Sequence, residues 1–534
     1  MESIKKSETK WQATGNIRTG IKAPFVMIVV FCLFLQSGQT GAQKVEPGSS
    51  LSAQIVELTA DIQKAHVMVD LGEEQGLLLR TEQFNTWDNG DPAPDLRADD
   101  ADFLNEIGLS SAMVRVGFSL DALCSVETLS CDFQSIEAWL DDISRTTEAL
   151  VVHLTPKAII HERKPASDAL PVLKLAITEL KKRFPKVVYI EATNEPDWEY
   201  HGSQIYRRKS PVLEPADVYS YYVPFYQAVA FVNEELGLTR PIQVGGPALT
   251  GMNETWLTAF LDGYTADSNP AKRLDFISYH GYGQFSDSFK EYTPNKPDPS
   301  VLSSQRETLN QWLSERSLPE DIPVFVTETG IYPGPSYDEP DPSKNDYLRQ
   351  AAGMASQHYW WAQQAAMYPF NWVVRHETQG RKDQPITHTA EGPLRRTLSP
   401  YGNMLLMQSK MKTTKVKAVS DSLKDGRGIY GIASKDNTGI AVMLWNYQHV
   451  KQVEFDTQLK LLNMPQGLQQ GKVRKRIYRI DAETSNYWAN PAMADLTMVA
   501  ESEERFDANF DLSFMLSPNS LYLLLLEPLQ SLDE

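Results

Sequence analysis

Tyr189-Ile190-Glu191-Ala192-Thr193-Asn194-Glu195-Pro196-Asp197 and Val324-Phe325-Val326-Thr327-Glu328-Thr329-Gly330 are the stretches on which the fold of this chain turns. Each is a β-rich apolar run that ends in a glutamate, followed at once by residues that break a strand. A carboxylate at the end of a buried parallel strand is held at the rim of a barrel or sheet, where loops build sites. The interval between Glu195 and Glu328 holds roughly three βα units of about 40 residues each. Proline after Glu195 disfavours right-handed helical dihedrals there and predicts an extended glutamate closing its strand.

Working outward, extended apolar runs alternate with helical patterns between Leu77 and His376. The predicted strands are 77–84, 112–116, 149–154, 187–193, 242–245, 276–280, 324–327 and 369–374. Between them, Ile136, Leu140 and Ile143, then Leu173, Ile177 and Leu180, then Leu309, Trp312 and Leu313 recur at helix spacing. Eight strand-then-helix units predict an α/β fold, a (β/α)8 TIM barrel. The rival, a doubly wound open sheet, requires a glycine-rich fingerprint loop that the sequence does not show. Beyond residue 410 short β-rich runs are separated by turn-like stretches, which predicts a C-terminal antiparallel β-sandwich. The expected organisation is a leader over 1–42, a segment over 43–76 adding to the sandwich, a barrel over 77–409 and the sandwich over 410–534.

The leader is read from Lys5, Lys6, Lys10, Arg18 and Lys22, an apolar stretch from Phe25 to Leu35, and Thr40-Gly41-Ala42, a small-x-small cleavage pattern. The apolar stretch is shorter than the ~20 residues that span a bilayer. The expectation is a secreted or periplasmic protein without a membrane partner once the leader is removed. Of the three cysteines, Cys32 would leave with the leader; Cys124 and Cys131 form an even pair, a candidate disulfide in an oxidising compartment. A formal charge of −18 over 534 residues argues against a nucleic-acid partner, which calls for a basic surface. No Cys/His cluster has metal-ligand spacing, and no metal or cofactor is expected.

Two carboxylates from different strands are the equipment for cutting a glycosidic bond: one protonated, the other ionised, their pKa values pushed apart by proximity. Asn194 adds an amide beside Glu195 suited to a sugar hydroxyl. His280 and Tyr282, at the end of the sixth strand, compete for a role orienting a carboxylate. Arg115 is a candidate to hold Glu328 ionised. Trp372 offers a platform for a pyranose face, and His153, ending the third strand, is either a site residue or a core histidine. Glu191 is read as structural, Trp360 and Trp361 as packing residues, and Asp88, Asp91 and Asp95 as a solvated turn rather than a metal loop.

The stretch from Ile190 to Asp197 resembles the F-E-x-W-N-E-P signature of glycoside hydrolase family 39, the β-xylosidases and α-L-iduronidases of clan A, with Thr193 standing where the family has tryptophan. Asp275-Phe276-Ile277-Ser278-Tyr279-His280 is similar to the family's sixth-strand motif and Gly245-Gly246-Pro247-Ala248 to its fifth. The resemblance covers roughly residues 77–400. It implies that Glu195 is the general acid/base, that Glu328 is the nucleophile, and that the protein is a retaining O-glycosyl hydrolase with a polysaccharide or oligosaccharide as partner. A carbohydrate-binding barrel without catalysis and a transglycosylase using the same carboxylates are the alternatives. Bases in the segments after strands, Lys157, His161, Arg163, Lys164, Arg207, Arg208, Lys209, Arg375, His376, Arg381 and Lys382, raise a carboxylated or sulfated glycan as substrate, against solvated loop charge and a neutral xylan-type or galactan-type glycan.

Overall fold

The structure is a computed structural model that describes residues 61–87, 94–200, 213–282, 298–331, 346–372, 374, 387–390, 395–448, 453–469, 471–487 and 489–529. All of these lie in one compact unit, Thr59–Glu534. The predicted leader with Cys32, the residues Asp88 and Asp91, the side chain of Asp95, and the bases Arg207, Arg208, Lys209, Arg375, His376, Arg381 and Lys382 lie outside the described residues.

Eight parallel strands close a barrel. In chain order they are β1 (Phe84–Thr86), β2 (Ser111–Ser119), β3 (Thr147–Thr155), β4 (Val187–Ala192), β5 (Gln243–Leu249), β6 (Phe276–Tyr282), β7 (Val324–Gly330) and β8 (Met367–Asn371). Each pairs with its sequence neighbour, and β8 closes on β1 through Asn371 and Asn85. The helical spacings correspond to helices Gln134–Ser144, Leu170–Arg183 and Gln305–Ser314, whose apolar stripes face the strands. The first strand differs from its predicted place. The apolar run Leu77-Leu78-Leu79 precedes β1, with the Leu78 amide bonded to the Thr413 carbonyl at 2.9 Å. Leu77 is exposed at the end of a sheet strand, whereas Leu78 and Leu79 share a small cavity wall with Met443 and Trp445, so these two are apolar because they pass between two modules.

Side chains alternate along each strand, and those pointing inward fill the barrel in layers. Phe84, Val151, Phe276, Phe325 and Phe370 form the lower plug, with the rings of Phe276 and Phe325 stacked at 4.4 Å. Two residues further along their strands, Tyr189 gives way to Glu191 and Val151 to His153. The floor of the barrel is therefore apolar and its upper mouth polar.

The second module is a nine-stranded sheet, mostly antiparallel. Its order is Thr497–Glu504, Val473–Ile480, Leu521–Pro528, Gly439–Tyr447, Gly428–Asp436, Thr414–Ser420, Asp61–Leu77, Val453–Leu462 and Phe510–Leu516. Asp61–Leu77 runs parallel to Val453–Leu462 and antiparallel to Thr414–Ser420, which places a strand from before the barrel in the middle of the sheet. Val67, Val69, Val442, Leu444, Leu459 and Leu524 join in a core separate from that of the barrel, drawn from distant parts of the sheet as in a β-sandwich. The Trp445 indole N–H donates to Ser356 Oγ of helix Asp346–Trp361 at 2.9 Å, pinning the sheet to the barrel's outer layer. Trp360 and Trp361 belong to that helix; Trp361 is fully buried and Trp360 donates to the Tyr430 hydroxyl at 3.0 Å, so both are packing residues.

Candidate active site

The polar mouth is organised by Arg115, an inward residue of β2 that is 1% exposed. Its Nε donates to Glu191 Oε2 at 2.6 Å, its Nη1 to Glu328 Oε1 at 2.7 Å and its Nη2 to Asn194 Oδ1 at 2.7 Å. A guanidinium suits this task because it stays charged and projects its donors in a fixed plane. Burial opposes its charge, but Glu191 and Glu328 more than compensate and raise its pKa. Glu191 is 0% exposed, so its structural role is that of a buried counter-ion.

Glu328 lies on β7 in register with His280 on β6, past an irregularity between Val326 and Glu328. The Tyr282 hydroxyl donates to Glu328 Oε2 at 2.5 Å. Burial, reinforced by the neighbouring charge of Glu328, holds the Tyr282 pKa well above the ordinary phenol value, so Tyr282 remains a donor. His280 Nδ1 lies 2.8 Å from Glu195 Oε1 and 3.4 Å from Glu328 Oε2. His280 and Tyr282 thus do not compete: the phenol holds one carboxylate and the imidazole links both. Burial disfavours a charged His280, yet Glu328 and Glu195 together outweigh it and raise its pKa.

Glu195 departs from the extended conformation expected before proline. Strand β4 ends at Ala192, and Glu195 caps the short helix Pro196–Glu199 with φ 43° and ψ 51°, a left-handed conformation. Proline excludes the right-handed helical region, and the reversal from strand to helix takes the left-handed one instead. Thr193, at φ 65°, is also left-handed, a costly state for a β-branched residue, of order 1–3 kcal/mol. Contacts to the end of β5 hold the turn: the Glu195 amide donates to the Ala248 carbonyl at 2.8 Å and the Thr193 hydroxyl to the Pro247 carbonyl at 2.9 Å. Asp197 accepts from the Thr250 amide at 3.0 Å and hydroxyl at 2.7 Å. Burial raises the Glu195 pKa, aided by the charges of Glu328 and Glu199 and opposed by His280. Burial likewise lifts Asp197 to about 6 against the Thr250 hydrogen bonds.

Beside Glu328 opens a cavity of about 190 Å³ whose wall includes Trp87, His153, Thr155, Lys157, Glu199 and Trp372. His153 sits on β3 opposite Gly117 of β2. A Cβ at Gly117 would lie 1.4 Å from His153 Nε2, so only glycine leaves room for the ring. Burial, with the charges of Arg115, His280 and Lys157, holds the His153 pKa well below its ordinary value, and the ring is neutral. Trp372 stands one residue past β8, its ring edge-on to Tyr282 at 6.5 Å. A larger cavity of about 610 Å³, walled by Phe103, Arg396 and Leu406 among others, shares none of these residues.

Glu195 and Glu328 and the six residues singled out around them, Asn194, Arg115, His280, Tyr282, His153 and Trp372, converge on this mouth. Sequence reasoning missed Glu199 altogether and read Glu191 without its partner. The available signals were the two-residue step from Tyr189 to Glu191, which faces an acid into the barrel, and the position of Glu199 one helical turn beyond Glu195. Cys124 and Cys131 are disulfide-bonded across a two-residue ladder after β2.

Glu195, His280 and Glu328 each present a ligand atom, and these atoms lie within 4.8 Å of one another. Such a trio can hold a cation. Here Arg115, 2.7 Å from Glu328 Oε1, already supplies the positive charge that a metal would bring.

No protein-family model and no curated protein sequence matches the chain. Solved structures do. A bacterial orthologue of human α-L-iduronidase superposes with a TM-score of 0.66 at 14% identity, over 88% of this chain and 85% of that one. A monomeric β-xylosidase from Caulobacter crescentus CB15 gives 0.61 at 15% identity over 87% and 99% of the two chains. A GH39 enzyme from Xanthomonas axonopodis pv. citri gives 0.61 at 14% identity over 90% and 100%. At these identities the likeness establishes a shared fold: a closed parallel barrel with an antiparallel β-sandwich beside it.

Proposed function

We propose that the protein is a retaining glycoside hydrolase acting on an oligosaccharide or polysaccharide, with Glu195 as general acid/base and Glu328 as nucleophile. The observation that carries this reading is the approach of the two carboxylates, an oxygen of each lying within 4.8 Å of the other. Retaining enzymes hold their carboxyl groups ~5–5.5 Å apart, whereas inverting ones leave ~6.5–9.5 Å for a water. The raised pKa of Glu195 suits an acid that must be protonated at working pH. Arg115 and Tyr282 suit Glu328 to be the ionised partner, one donor on each oxygen.

Glu195 gives its proton to the glycosidic oxygen as Glu328 attacks the anomeric carbon, and the leaving group departs as an alcohol. A glycosyl ester on Glu328 results. Glu195, now ionised, takes a proton from water; the hydroxide attacks the same carbon and Glu328 leaves as carboxylate, giving net retention. His280, bonded to Glu195 Oε1, leaves Oε2 to carry the proton that is delivered. The glycosidase names of the structurally similar proteins support the same chemistry. The Cys124–Cys131 disulfide supports an exported, oxidising setting, and no helix among the described residues is long and apolar enough to cross a membrane.

Proton NMR of the nascent sugar from an anomerically pure substrate tests the proposal. The product is expected to keep the substrate's configuration; an inverted product would overturn the mechanism. Binding of oligosaccharides without cleavage of any would favour the carbohydrate-binding alternative.

A further inference from the structure

We propose that Lys157 and Glu199 form the element of the catalytic cavity that selects the sugar ring, engaging adjacent hydroxyls of an uncharged glycoside and rejecting a carboxylated one. This inference rests on the glycosidase reading above and goes on to name its substrate class.

Both residues line the cavity that holds Glu328. Lys157 opens the helix Lys157–His161 directly after β3, and Glu199 ends the helix Pro196–Glu199 that begins at Glu195. Lys157 Nζ lies 3.9 Å from Glu199 Oε2. That is longer than the ~2.7–3.2 Å of a direct hydrogen bond, so both groups retain capacity for a ligand. A sugar hydroxyl placed between them donates to the carboxylate and accepts from the ammonium, and its neighbour on the ring meets whichever group remains. Such charge-assisted bonds are about twice as strong as neutral ones.

The carboxylate is held for this task. Arg115 takes Asn194 Oδ1, which turns the Asn194 amide nitrogen toward Glu199 Oε1 at 3.3 Å. The Glu199 side chain is 17% exposed, set deep, while that of Lys157 is 45% exposed at the rim. On the same wall, the buried Thr155 Oγ1 and His153 Nδ1 have no hydrogen-bond partner. A hydroxyl and a neutral imidazole can both donate to and accept from sugar hydroxyls, and neither brings a positive charge to offset a uronate.

Charge balance points the same way. Among the described residues lining the cavity, Arg115 and Lys157 are matched one for one by Glu199 and Glu328. Arg115 is already bonded to two carboxylates. Of the other described bases after the third strand, Lys164 is paired with Glu162 at 2.7 Å and is not part of this wall. A uronate carboxylate drawn to Lys157 would lie against Glu199, like charge against like charge in a partly desolvated site.

The test compares the full-length wild type, Glu199→Gln and Lys157→Met on matched nitrophenyl glycosides of neutral sugars, their deoxy analogues and the corresponding uronides, with melting curves to verify folding. Wild type is expected to prefer the neutral member. Glu199→Gln is expected to lower kcat/KM on it by about 10–100-fold, and a deoxy analogue lacking the engaged hydroxyl should be insensitive to that substitution. The basic limb of the kcat/KM profile, which reports the acid Glu195, should move to lower pH in Glu199→Gln and to higher pH in Lys157→Met, where the Glu199 charge is no longer offset. A merely structural role would not produce shifts of opposite sign. A wild type that cleaves the uronide faster than its neutral match, or limbs that do not move apart, would overturn the inference while leaving the glycosidase reading intact. A wild type that cleaves nothing in the panel overturns that reading, and the pair's role with it.

Discussion

Arg115 and Glu191 form an ion pair that solvent does not reach, Nε to Oε2 at 2.6 Å with side chains 2% and 0% exposed. Glu191 satisfies one edge of the guanidinium from below. The remaining donors are thereby directed upward to Glu328 and Asn194, and Glu328, the proposed nucleophile, is positioned by a charge whose own position is fixed by a residue buried beneath the mouth.

Removing either partner strands the other. Arg115→Met should destabilise the fold by about 3–5 kcal/mol, because two carboxylates lose their counter-charge. Glu191→Gln should cost less stability, yet lower kcat with little change in KM. In urea denaturation of the single variants and the double, the double should cost clearly less than the sum; strict additivity would show that the pair is not coupled.

The two glutamates should separate by rescue. Glu195→Ala should lose roughly 10²–10⁴-fold in kcat on substrates with poor leaving groups. Azide should restore turnover on activated substrates and yield a glycosyl azide of retained configuration. Glu328→Ala should abolish turnover, and azide there should give the opposite configuration. Identical azide products from both variants would mean that the roles are misassigned.

Asp197 makes stability depend on pH. Its folded-state pKa, about 6 against an ordinary 3.8, is raised by burial. The folded protein therefore binds a proton more tightly than the unfolded chain, and the corresponding stability is present at low pH and lost as pH rises from about 4 through 6. Asp197→Asn should remove this dependence, leaving the variant more stable than wild type above pH 6 by of order 1–3 kcal/mol. Denaturant midpoints at several pH values provide the check. A midpoint for Asp197→Asn below wild type at pH 7 would show that the Thr250 bonds outweigh the buried charge.

Gly117 is required by its neighbour rather than by its own backbone. Gly117→Ala brings a methyl into the volume of the His153 ring and should lower kcat/KM by displacing that ring from the cavity wall. Gly117→Ala combined with His153→Ala should recover folding stability without recovering activity, as read by melting temperature and initial rates.

Opening the Cys124–Cys131 loop with Cys124→Ala/Cys131→Ala should cost about 2–3 kcal/mol. Asp121, next to this loop, accepts the Ala158 amide beside Lys157 at 2.9 Å, so KM should rise more than kcat falls. A melting temperature unchanged by reductant in the wild type would contradict the stabilising role.

Local pattern was enough for much of this molecule. Buried parallel strands read as short apolar runs, and helices as three-to-four-residue spacings, so the barrel, and the location of Glu195 and Glu328 at its mouth, followed from the chain alone, though Glu195 lies beyond its strand rather than closing it. So did Arg115, because a base on an apolar strand needs an acidic partner. Three things were decided only in the folded chain. Leu78 and Leu79 have the composition of a strand but serve a module interface, since burial selects apolar residues whatever covers them. The left-handed turn at Glu195 depends on carbonyls of Pro247 and Ala248, far away in sequence. The links from Glu191 through Arg115 and Asn194 to Glu199 and Lys157 join side chains from separate strands and loops. Their spacing along the chain carries no trace of that order, which arises only when barrel closure brings the strand ends around one mouth.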